Sequence, residues 1–413
     1  MSDPSPPIAE LRDAAVPLGD TDPETPLDDA AADALRDVVG NASLVALGEA
    51  AHGARAQFRL KRRLIRFLVE TEGIRAFALE VDTNWARQVD DYVTGGAGDI
   101  EALLQHARIS WPWKTEELAD LFDWMRAFNE IRPADDRLRV YGFDTSRFGR
   151  VANALAGFFD AVDADVPAVR DRLDALAGED DAAAVDAAAS LADTLPSLFD
   201  DHGQEWAVRC SDREFAFARR QSALLEQRSA LATAEADERF TVRDEAMAAN
   251  ASWIVDRAGA GRAVLWAHNV HVARGGLTDE RRGISGRTMG DELVARHGEE
   301  YVPIGIGLGG GEYLAMDAET VEPVTPSVPE PPEESIPEAF SRLDAATPFA
   351  STAALHDRES VADWLGTEPQ RHRISGMVQD GESVSYVDSD LTEFDGVAFV
   401  DWTRPIRHLG LGD

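Results

Sequence analysis

Short apolar segments that each end in a polar residue recur along the chain, and this feature restricts its fold more than any other. Residues 43–47 run into Glu49 and residues 75–79 run into Glu80, with a helical pattern over residues 54–72 between them. A short apolar run, an amphipathic helix and a second apolar run are typical of a β-α-β unit, in which the two strands are parallel. The pattern therefore predicts an α/β fold with a mainly parallel central sheet flanked by helices.

Four later segments also have the composition of strands: residues 138–141, 263–266, 301–306 and 396–400. Asp144 closely follows the first of them, and His268 and His271 follow the second. Ligands of parallel α/β sheets bind outside the carboxyl ends of the strands, where the loops converge. We therefore expect the polar residues at these strand ends to share one site.

The chain divides into regions of different composition. Residues 1–28 are rich in proline and aspartate and are expected to form a loose lead-in, so that residues 29–413 make up one α/β domain. Within that domain, residues 148–256 are rich in alanine and have helical periodicity without a convincing strand, which predicts an additional helical region inserted in the middle of the chain. Residues 321–337 are rich in proline and acidic residues, which favours an exposed loop.

The charge of the chain argues against nucleic acid and membrane partners and indicates a protein adapted to high salt. With 76 acidic and 40 basic residues, the net charge is −36, which repels nucleic acid phosphates and anionic lipid headgroups. Only two of the basic residues, Lys61 and Lys114, are lysines. An acidic composition with arginine in place of lysine resembles the proteins of salt-accumulating halophiles. We therefore expect a halophilic protein that binds neither nucleic acid nor membranes and loses structure in low salt.

Cysteine content and hydropathy set further bounds. The single cysteine, Cys210, excludes an intrachain disulfide and a zinc site with several thiolate ligands. The first residues have neither a basic nor an apolar stretch, and no run of eighteen apolar residues occurs anywhere. These features lead us to expect a cytoplasmic protein, either a monomer or a small homo-oligomer.

Glu49 and His52 are three residues apart at a predicted turn from strand to helix, a spacing that puts both side chains on one face. A carboxylate beside an imidazole can orient the ring and raise its basicity, which gives a general base near neutral pH. The alternative is that Glu49 caps the helix and His52 only packs. The pair is not part of a zincin His-Glu-x-x-His motif, because no second histidine stands at the required position.

Glu80, His268 and His271 join Glu49 and His52 in a cluster of two glutamates and three histidines at predicted strand ends. Such a cluster suits two chemistries. In one, a histidine activates water for attack on an ester or lactone carbonyl, while another cation stabilises the oxyanion. In the other, the same side chains hold a divalent metal ion that lowers the pKa of water. Spacing alone does not separate them.

Lys61 follows His52 by nine residues, and its retention in a chain that uses arginine nearly everywhere suggests a role that a guanidinium fills poorly. Trp113 lies beside the other lysine, Lys114, and lines a binding cleft or anchors a loop. Arg243 lies in a helical stretch, where most charges face solvent.

Seven segments together carry a family resemblance: Gly48-Glu49-x-x-His52-Gly53, Leu60-Lys61, Phe77-Ala-Leu-Glu80, Trp111-x-Trp-x-Thr-x-Glu117, Tyr141-Gly-Phe-Asp144, Arg243-Asp-x-x-Met247-Ala-x-Asn250 and His268-Asn-x-His271-Val-Ala-Arg274. In this order they resemble the erythromycin esterase family, which is sometimes grouped with succinoglycan-biosynthesis-like proteins. The resemblance covers roughly residues 40 to 405.

The resemblance implies hydrolysis of a macrolide lactone or another carboxylic ester without a metal or other cofactor. His52 would be the base that activates water, and the site would be shaped by Glu49, Glu80, His268 and His271. Candidate substrate-binding residues are Lys61, Asp144, Arg243 and Trp113. The native substrate need not be a macrolide.

Two alternatives to this function remain open from the sequence. The first is a metal-dependent hydrolase that uses the same glutamates and histidines. The second is a protein that binds a small molecule without turnover, which the absence of a Gly-x-Ser-x-Gly nucleophile motif favours. The burial of several glutamates and histidines argues against the second, since a plain binding protein has little reason to maintain them.

Overall fold

The computed structural model describes residues 5–105, 110–176, 182–257, 261–279 and 284–410. Several parts of the predicted regions lie outside the described residues: 1–4 of the lead-in, 177–181 of the helical region, and 106–109, 258–260, 280–283 and 411–413 of the α/β domain.

Fourteen strands are present in the described residues: β1 Val16–Pro17, β2 Leu44–Leu47, β3 Ala76–Asp82, β4 Arg139–Asp144, β5 Ala263–Trp266, β6 Leu277–Asp279, β7 Ile284–Gly286, β8 Tyr301–Gly311, β9 Ala315–Asp317, β10 Pro323–Val324, β11 Pro348–Ser351, β12 Gln370–Gln379, β13 Glu382–Asp388 and β14 Gly396–Thr403. Eight of them form the central sheet in the order β1-β11-β14-β8-β2-β5-β3-β4. The six strands from β14 to β4 are parallel, and β11 and β1 add an antiparallel edge. The predicted α/β fold with a mainly parallel sheet is confirmed.

Sixteen α-helices connect the strands in the described part of the chain: α1 Ile8–Ala14, α2 Asp29–Val39, α3 Arg55–Glu70, α4 Thr83–Val93, α5 Ile100–Gln105, α6 Glu116–Glu130, α7 Phe148–Ala161, α8 Pro167–Leu176, α9 Ala182–Ala207, α10 Asp212–Thr233, α11 Arg239–Arg257, α12 Asn269–Val272, α13 Met289–His297, α14 Ile336–Ser341, α15 Thr352–His356 and α16 Glu359–Leu365. Two short 3-10 helices are Trp111–Trp113 and Gly298–Glu300. Over the ranges that the structure describes, no helix is long and apolar enough to cross a membrane.

The central strands are apolar throughout because helices cover both faces of the sheet. In β2, Val45 and Leu47 point into one core, which includes Phe58 of α3, whereas Leu44 and Ala46 point into the other. This alternation is the two-residue period of a strand. The two cores fix the register of β2 and, with it, the direction in which the residues after Leu47 leave the sheet.

The N-terminal segment differs from the loose lead-in that its composition predicts. It contains α1 and the edge strand β1, which pairs antiparallel with β11 through Val16 and Phe349. Leu11 and Leu18 are buried, and this apolar contact gives the segment a fixed place on the domain.

The predicted helical region in the middle of the chain is confirmed, and it consists of α7 to α11. Its first four helices enclose a separate apolar cluster that includes Phe148, Leu155, Phe159 and Leu195. The last helix, α11, returns to the sheet, where Met247 packs in the second core. The helical region thereby places the beginning of α11 beside the strand ends.

A second, four-stranded sheet in the order β10-β9-β12-β13 was not predicted from the sequence. Its strand β12 pairs with β13 in antiparallel register and with β9 in parallel register. The predicted exposed loop over residues 321–337 supplies β10 and the start of α14. Together with the hairpin of β6 and β7, the second sheet lies beside the carboxyl ends of the central strands, where it walls the cavity described below.

Candidate active site

The loop that follows β2 carries Glu49 and His52 and is bounded by two glycines that have no room for a side chain. A Cβ atom on Gly48 would lie 2.1 Å from Oδ1 of Asn269, and one on Gly53 would lie 1.8 Å from the carbonyl oxygen of Leu314. The backbone of Gly53 also accepts a hydrogen bond from the amide of Leu314, at 3.1 Å. Close backbone packing at both ends therefore fixes the path of this loop.

Glu49 and His52 form a hydrogen-bonded pair at the mouth of a cavity. Nδ1–H of His52 donates to Oε1 of Glu49 at 2.7 Å. Glu49 has no exposed surface, whereas 18% of the His52 side chain is accessible. Among the described residues, Nε2 of His52 has no hydrogen-bond partner, and the ring lines the cavity. A hydrogen on Nδ1 leaves Nε2 as a proton acceptor that faces the cavity.

The second oxygen of Glu49 is held by two donors from the protein interior. Nζ of Lys61 and Nε1 of Trp266 each lie 2.8 Å from Oε2. Lys61 has no exposed surface and lies with Nζ 4.5 Å from the centre of the Trp266 ring. Burial lowers the pKa of Lys61 to about 8, although the charge of Glu49 opposes this shift. Lys61 therefore lies behind Glu49 and does not reach the cavity.

Glu80, at the end of β3, is bound by groups on both sides. Oε1 accepts a hydrogen bond from Nη2 of Arg243 at 2.8 Å, and Oε2 accepts one from the amide of His268 at 3.1 Å. Burial favours the neutral form of Glu80, but the positive charges of His271 and Arg243 outweigh burial and lower its pKa. Glu80 is therefore an ionised anchor for Arg243 of α11 and for the backbone of His268, the residue before α12.

Arg243, at the start of α11, makes a bidentate ion pair with Asp144 at the end of β4. Nε lies 3.1 Å from Oδ1 and Nη2 lies 2.9 Å from Oδ2 of Asp144. Burial lowers the pKa of Arg243, but Asp144 and Glu80 more than compensate and raise it well above its ordinary value. The result is a permanent positive charge on the cavity wall, held in a fixed orientation by two carboxylates.

His271 is held between Arg243 and a buried carboxylate. Its Nδ1 lies 2.9 Å from Oδ1 of Asp244, and Nη1 of Arg243 lies 3.2 Å from its Nε2. Phe240 stacks on the ring at 5.5 Å with an interplanar angle of 15°. Burial lowers the pKa of His271, but Asp244 and Glu80 outweigh it and raise the pKa above the ordinary value.

His268 differs from the other two histidines because, in the part of the chain that the structure describes, its ring bonds only to backbone. Nε2–H donates to the carbonyl oxygens of Ala50 at 2.9 Å and Ile374 at 3.1 Å, while Nδ1 accepts from the amide of Val270 at 3.2 Å. Burial, followed by the nearby rings of His52 and His271, lowers the pKa of His268 well below its ordinary value. His268 is therefore a neutral ring that joins the Glu49 loop to α12 and β12.

These side chains surround a cavity of about 230 Å³. His52, Arg243, His268 and His271 line its inner side. Its outer side is formed by β12, β13 and the β6–β7 hairpin, with apolar contributions from Leu277, Ile284, Ile374 and Val384, and polar ones from Arg373, Ser375, Gln379, Glu382, Ser383 and Ser385. The cavity is thus lined by imidazole and guanidinium groups on one side and by mixed apolar and polar side chains on the other.

Strand ends, loops and helices bring all nine candidate residues into one region, but not all of them line the cavity. Trp113 does not line the cavity; its ring meets the edge of His52 at a centroid distance of 5.5 Å. Asp144 lies behind Arg243, as Lys61 lies behind Glu49. The sequence reasoning did not select Asp244, Trp266, Phe240 or the two strands β12 and β13. The signals in the sequence were that Asp244 is adjacent to Arg243 and belongs to one of the seven segments of the family resemblance, and that Trp266 is the last residue of its strand.

The metal-binding interpretation of the cluster has no support from the geometry. Across the described ranges, no group of three or more histidine, cysteine, aspartate or glutamate side chains is arranged to hold a metal ion. Both ring nitrogens of His268 bond to backbone, and Nε2 of His271 lies 3.2 Å from Nη1 of Arg243, so neither ring offers a free nitrogen to a metal ion.

Residues 69–403 match the family model described as "Erythromycin esterase", and the match begins after Glu49 and His52. Erythromycin esterase type II of Escherichia coli is 29% identical over 141 residues, which is 34% of this chain and 32% of that protein. The chain thus aligns with about a third of that relative's length. The Bacillus subtilis (strain 168) protein YbfO is 24% identical over 415 residues, covering 90% of this chain and 86% of YbfO.

Solved structures share the same fold. A crystal structure of a succinoglycan biosynthesis protein superposes with a TM-score of 0.77 at 21% identity, covering 97% of each chain. The erythromycin esterase EreC in its open conformation superposes with a TM-score of 0.69 at 19% identity, covering 93% of this chain and 97% of that one.

Proposed function

Because the chain belongs to the erythromycin esterase family, we propose that it is a hydrolase that adds water to a carboxylic ester or lactone, with His52 as the general base. The observation that carries the proposal is the pair of His52 and Glu49. The ring is anchored to a buried carboxylate through Nδ1 and presents Nε2 to the cavity. A carboxylate that accepts from Nδ1 fixes the reactive tautomer and stabilises the imidazolium that forms when Nε2 takes a proton.

This placement supports the following reaction. A water molecule next to Nε2 of His52 gives its proton to that nitrogen while its oxygen bonds to the carbonyl carbon of the substrate. The tetrahedral intermediate then collapses, the bond between carbon and the alcohol oxygen breaks, and the leaving alkoxide takes the proton back from Nε2. The products are a carboxylic acid and an alcohol, or one hydroxy acid from a lactone, and His52 returns to its initial state.

Arg243 supplies positive charge for the oxyanion, and His271 lies beside it. Both line the cavity, and both are held from behind by the carboxylates of Asp144, Glu80 and Asp244. Groups that are oriented before the reaction stabilise a developing oxyanion at little reorganisation cost. We assign electrostatic stabilisation to Arg243 and activation of water to His52.

The size of the cavity bears on the substrate. At about 230 Å³ it is smaller than the roughly 300 to 1,000 Å³ of typical sites for drug-sized ligands. We therefore propose a small ester or lactone as the native substrate. Macrolides are a second substrate class to be tested in parallel, because the Escherichia coli relative is named an erythromycin esterase.

The test is hydrolysis of a panel of esters, lactones and macrolides in high salt, with ¹⁸O-labelled water and mass spectrometry of the products. The wild type should introduce one ¹⁸O atom into the carboxyl group, and His52→Gln should lose this activity. His202→Gln is the matched control, because His202 is half exposed on α9, far along the chain from the cavity residues. No hydrolysis of any panel member by the wild type would refute the proposed function.

The same experiment separates the two alternatives. Loss of hydrolysis on chelation, together with a stoichiometric metal ion in elemental analysis, would establish a metal-dependent hydrolase in place of the proposed mechanism. Saturable binding of a panel member that is released without added water would establish a binding protein.

A further inference from the structure

We infer that Trp266 is a positioning residue for the reaction, which fixes the carboxylate of Glu49 so that its other oxygen is presented to His52. This inference rests on the proposed function, since it assigns Trp266 a part in the action of the same base. The indole nitrogen does not reach the cavity and touches no reacting atom, so its effect on the reaction passes through Glu49.

The two oxygens of Glu49 have separate partners. Oε2 accepts from both the indole N–H of Trp266 and the ammonium of Lys61, each at 2.8 Å, and within the described ranges Oε1 accepts only from His52, at 2.7 Å. Rotation of the carboxylate about its last bond would break both hydrogen bonds to Oε2. The two donors therefore hold the plane of the carboxylate, and this plane determines where the ring of His52 is held.

Trp266 is a rigid donor because of its place in the central sheet. It is the last residue of β5, where it pairs with Leu47 of β2 on one side and Leu79 of β3 on the other. Phe58 and Phe77 meet its ring in edge-to-face contacts at 4.9 and 6.4 Å. A side chain that is packed on all sides at the end of a central strand holds its N–H in one direction.

The ring of Trp266 also positions the second donor. Nζ of Lys61 lies 4.5 Å from the ring centre, which is within the range of a cation–π interaction. Indole is the aromatic group that best binds a cation in this way. The indole of Trp266 therefore donates a hydrogen bond to Glu49 from its edge and makes a cation–π contact with the ammonium of Lys61 on its face.

A purely structural role for Trp266 makes a different prediction. If the indole only filled the core, its replacement would lower stability and leave the turnover of the folded enzyme unchanged. A second buried tryptophan provides the comparison. Trp85 of α4 is equally buried, and its Nε1 has no hydrogen-bond partner in the described residues. Replacement of Trp85 by phenylalanine tests the loss of an indole without the loss of a hydrogen bond.

The experiment compares Trp266→Phe with Trp85→Phe in steady-state hydrolysis of the best ester in the panel. In Trp266→Phe we expect kcat to fall by about tenfold or more, the loss that corresponds to one hydrogen bond to a charged group, while KM changes little. The low-field proton resonance of His52 Nδ1–H, assigned by its absence in His52→Gln, should shift or broaden. In Trp85→Phe both readouts should match the wild type.

A second variant keeps the experiment decisive if Trp266→Phe does not fold. Benzothienylalanine at position 266 preserves the bicyclic shape and replaces only the N–H by sulfur, so a loss of kcat in this variant supports the inference. Wild-type kcat and an unshifted His52 resonance in either folded variant would overturn it. That result would leave the proposed function intact as long as His52→Gln remains inactive, whereas an inactive wild type would refute the function itself.

Discussion

Nδ1 of His271 lies 2.9 Å from Oδ1 of Asp244, and this contact joins the helix after β5 to the helical region of the chain. Asp244 has no exposed surface and also accepts the amide of Met289, at the start of α13, at 2.8 Å. One buried carboxylate thus ties α11, α12 and α13 together beneath the cavity. A buried charge is stable only while it is paired and hydrogen-bonded, so the contact has consequences for both folding and activity.

We predict that Asp244→Asn destabilises the protein strongly, because it leaves His271 buried without its counter-charge. Removal of one partner from a buried pair costs about 3 kcal/mol or more, measured as the change in the free energy of unfolding by denaturant titration. The control is Asp33→Asn, which removes a carboxylate from a largely exposed pair with Arg36 and should change the unfolding midpoint little. Equal effects of the two variants would contradict the prediction.

The raised pKa of His271 predicts how stability depends on pH. A histidine with a higher pKa in the folded than in the unfolded state contributes stability that is fully present below the unfolded pKa, about 6.5. That contribution is lost as the pH rises through the folded value. Burial opposes the shift, while Asp244 and Glu80 produce it. The free-energy difference between wild type and His271→Gln should therefore shrink as the pH rises above about 6.5. A difference that stays constant with pH would exclude this linkage.

The residues at strand ends were predictable, because the apolar pattern indicates a parallel sheet. Glu49, Glu80, His268 and His271 each follow a short apolar run, and parallel strands bring their carboxyl ends to one edge. The resemblance to the erythromycin esterase family is likewise confirmed. The local pattern was sufficient to predict that these residues share one site, because residues that follow parallel strands lie at the same edge of the sheet.

The helix-borne and late-strand parts of the site were not predictable in the same way. Arg243 and Asp244 lie at the start of a helix, where a charged pair has the same appearance in the sequence as a solvated face. The strands β12 and β13 are long but only partly buried, so their apolar pattern is weak. Tertiary contacts decide the positions of these residues, and a single sequence records such contacts poorly.

Lys61→Arg is predicted to lower both stability and hydrolysis. Lys61 has no exposed surface, and its ammonium fits between Oε2 of Glu49, the carbonyl of Ala267 and the ring of Trp266. A planar guanidinium needs more space and different acceptors, and overpacking costs about 1–3 kcal/mol. Lys114→Arg is the matched control, since Lys114 is the other lysine of the chain and is only partly buried. If Lys61→Arg has the melting temperature and activity of the wild type, the site does not require a lysine at position 61 and the prediction is wrong.

Gly53→Ala should destabilise the fold, whereas Gly157→Ala should stabilise it. A Cβ atom at position 53 would overlap the carbonyl oxygen of Leu314, and backbone must move to relieve the contact, so we expect a loss of about 2 kcal/mol or more. Gly157 lies within α7, and a Cβ atom there meets nothing within 4 Å. Alanine in an exposed helix position gains about 0.5–1 kcal/mol over glycine. Thermal unfolding should therefore give a lower melting temperature for Gly53→Ala and a higher one for Gly157→Ala than for the wild type. Hydrolysis by Gly53→Ala should also fall, because the loop that carries Glu49 and His52 shifts.

The net charge of −36 predicts that folding depends on ionic strength. At dilute salt the Debye length is about 10 Å or more, so carboxylates across the surface repel one another, whereas at molar salt it falls to about 3 Å. Circular dichroism and the urea midpoint should therefore show lower stability in dilute buffer, with recovery on addition of sodium chloride. Salts can also stabilise proteins by exclusion from their surface, as neutral osmolytes do. Sucrose at the same osmolality separates the two effects, because it leaves charges unscreened. Recovery in sucrose equal to that in sodium chloride, or an unchanged midpoint in dilute buffer, would show that self-repulsion does not limit the stability of this fold.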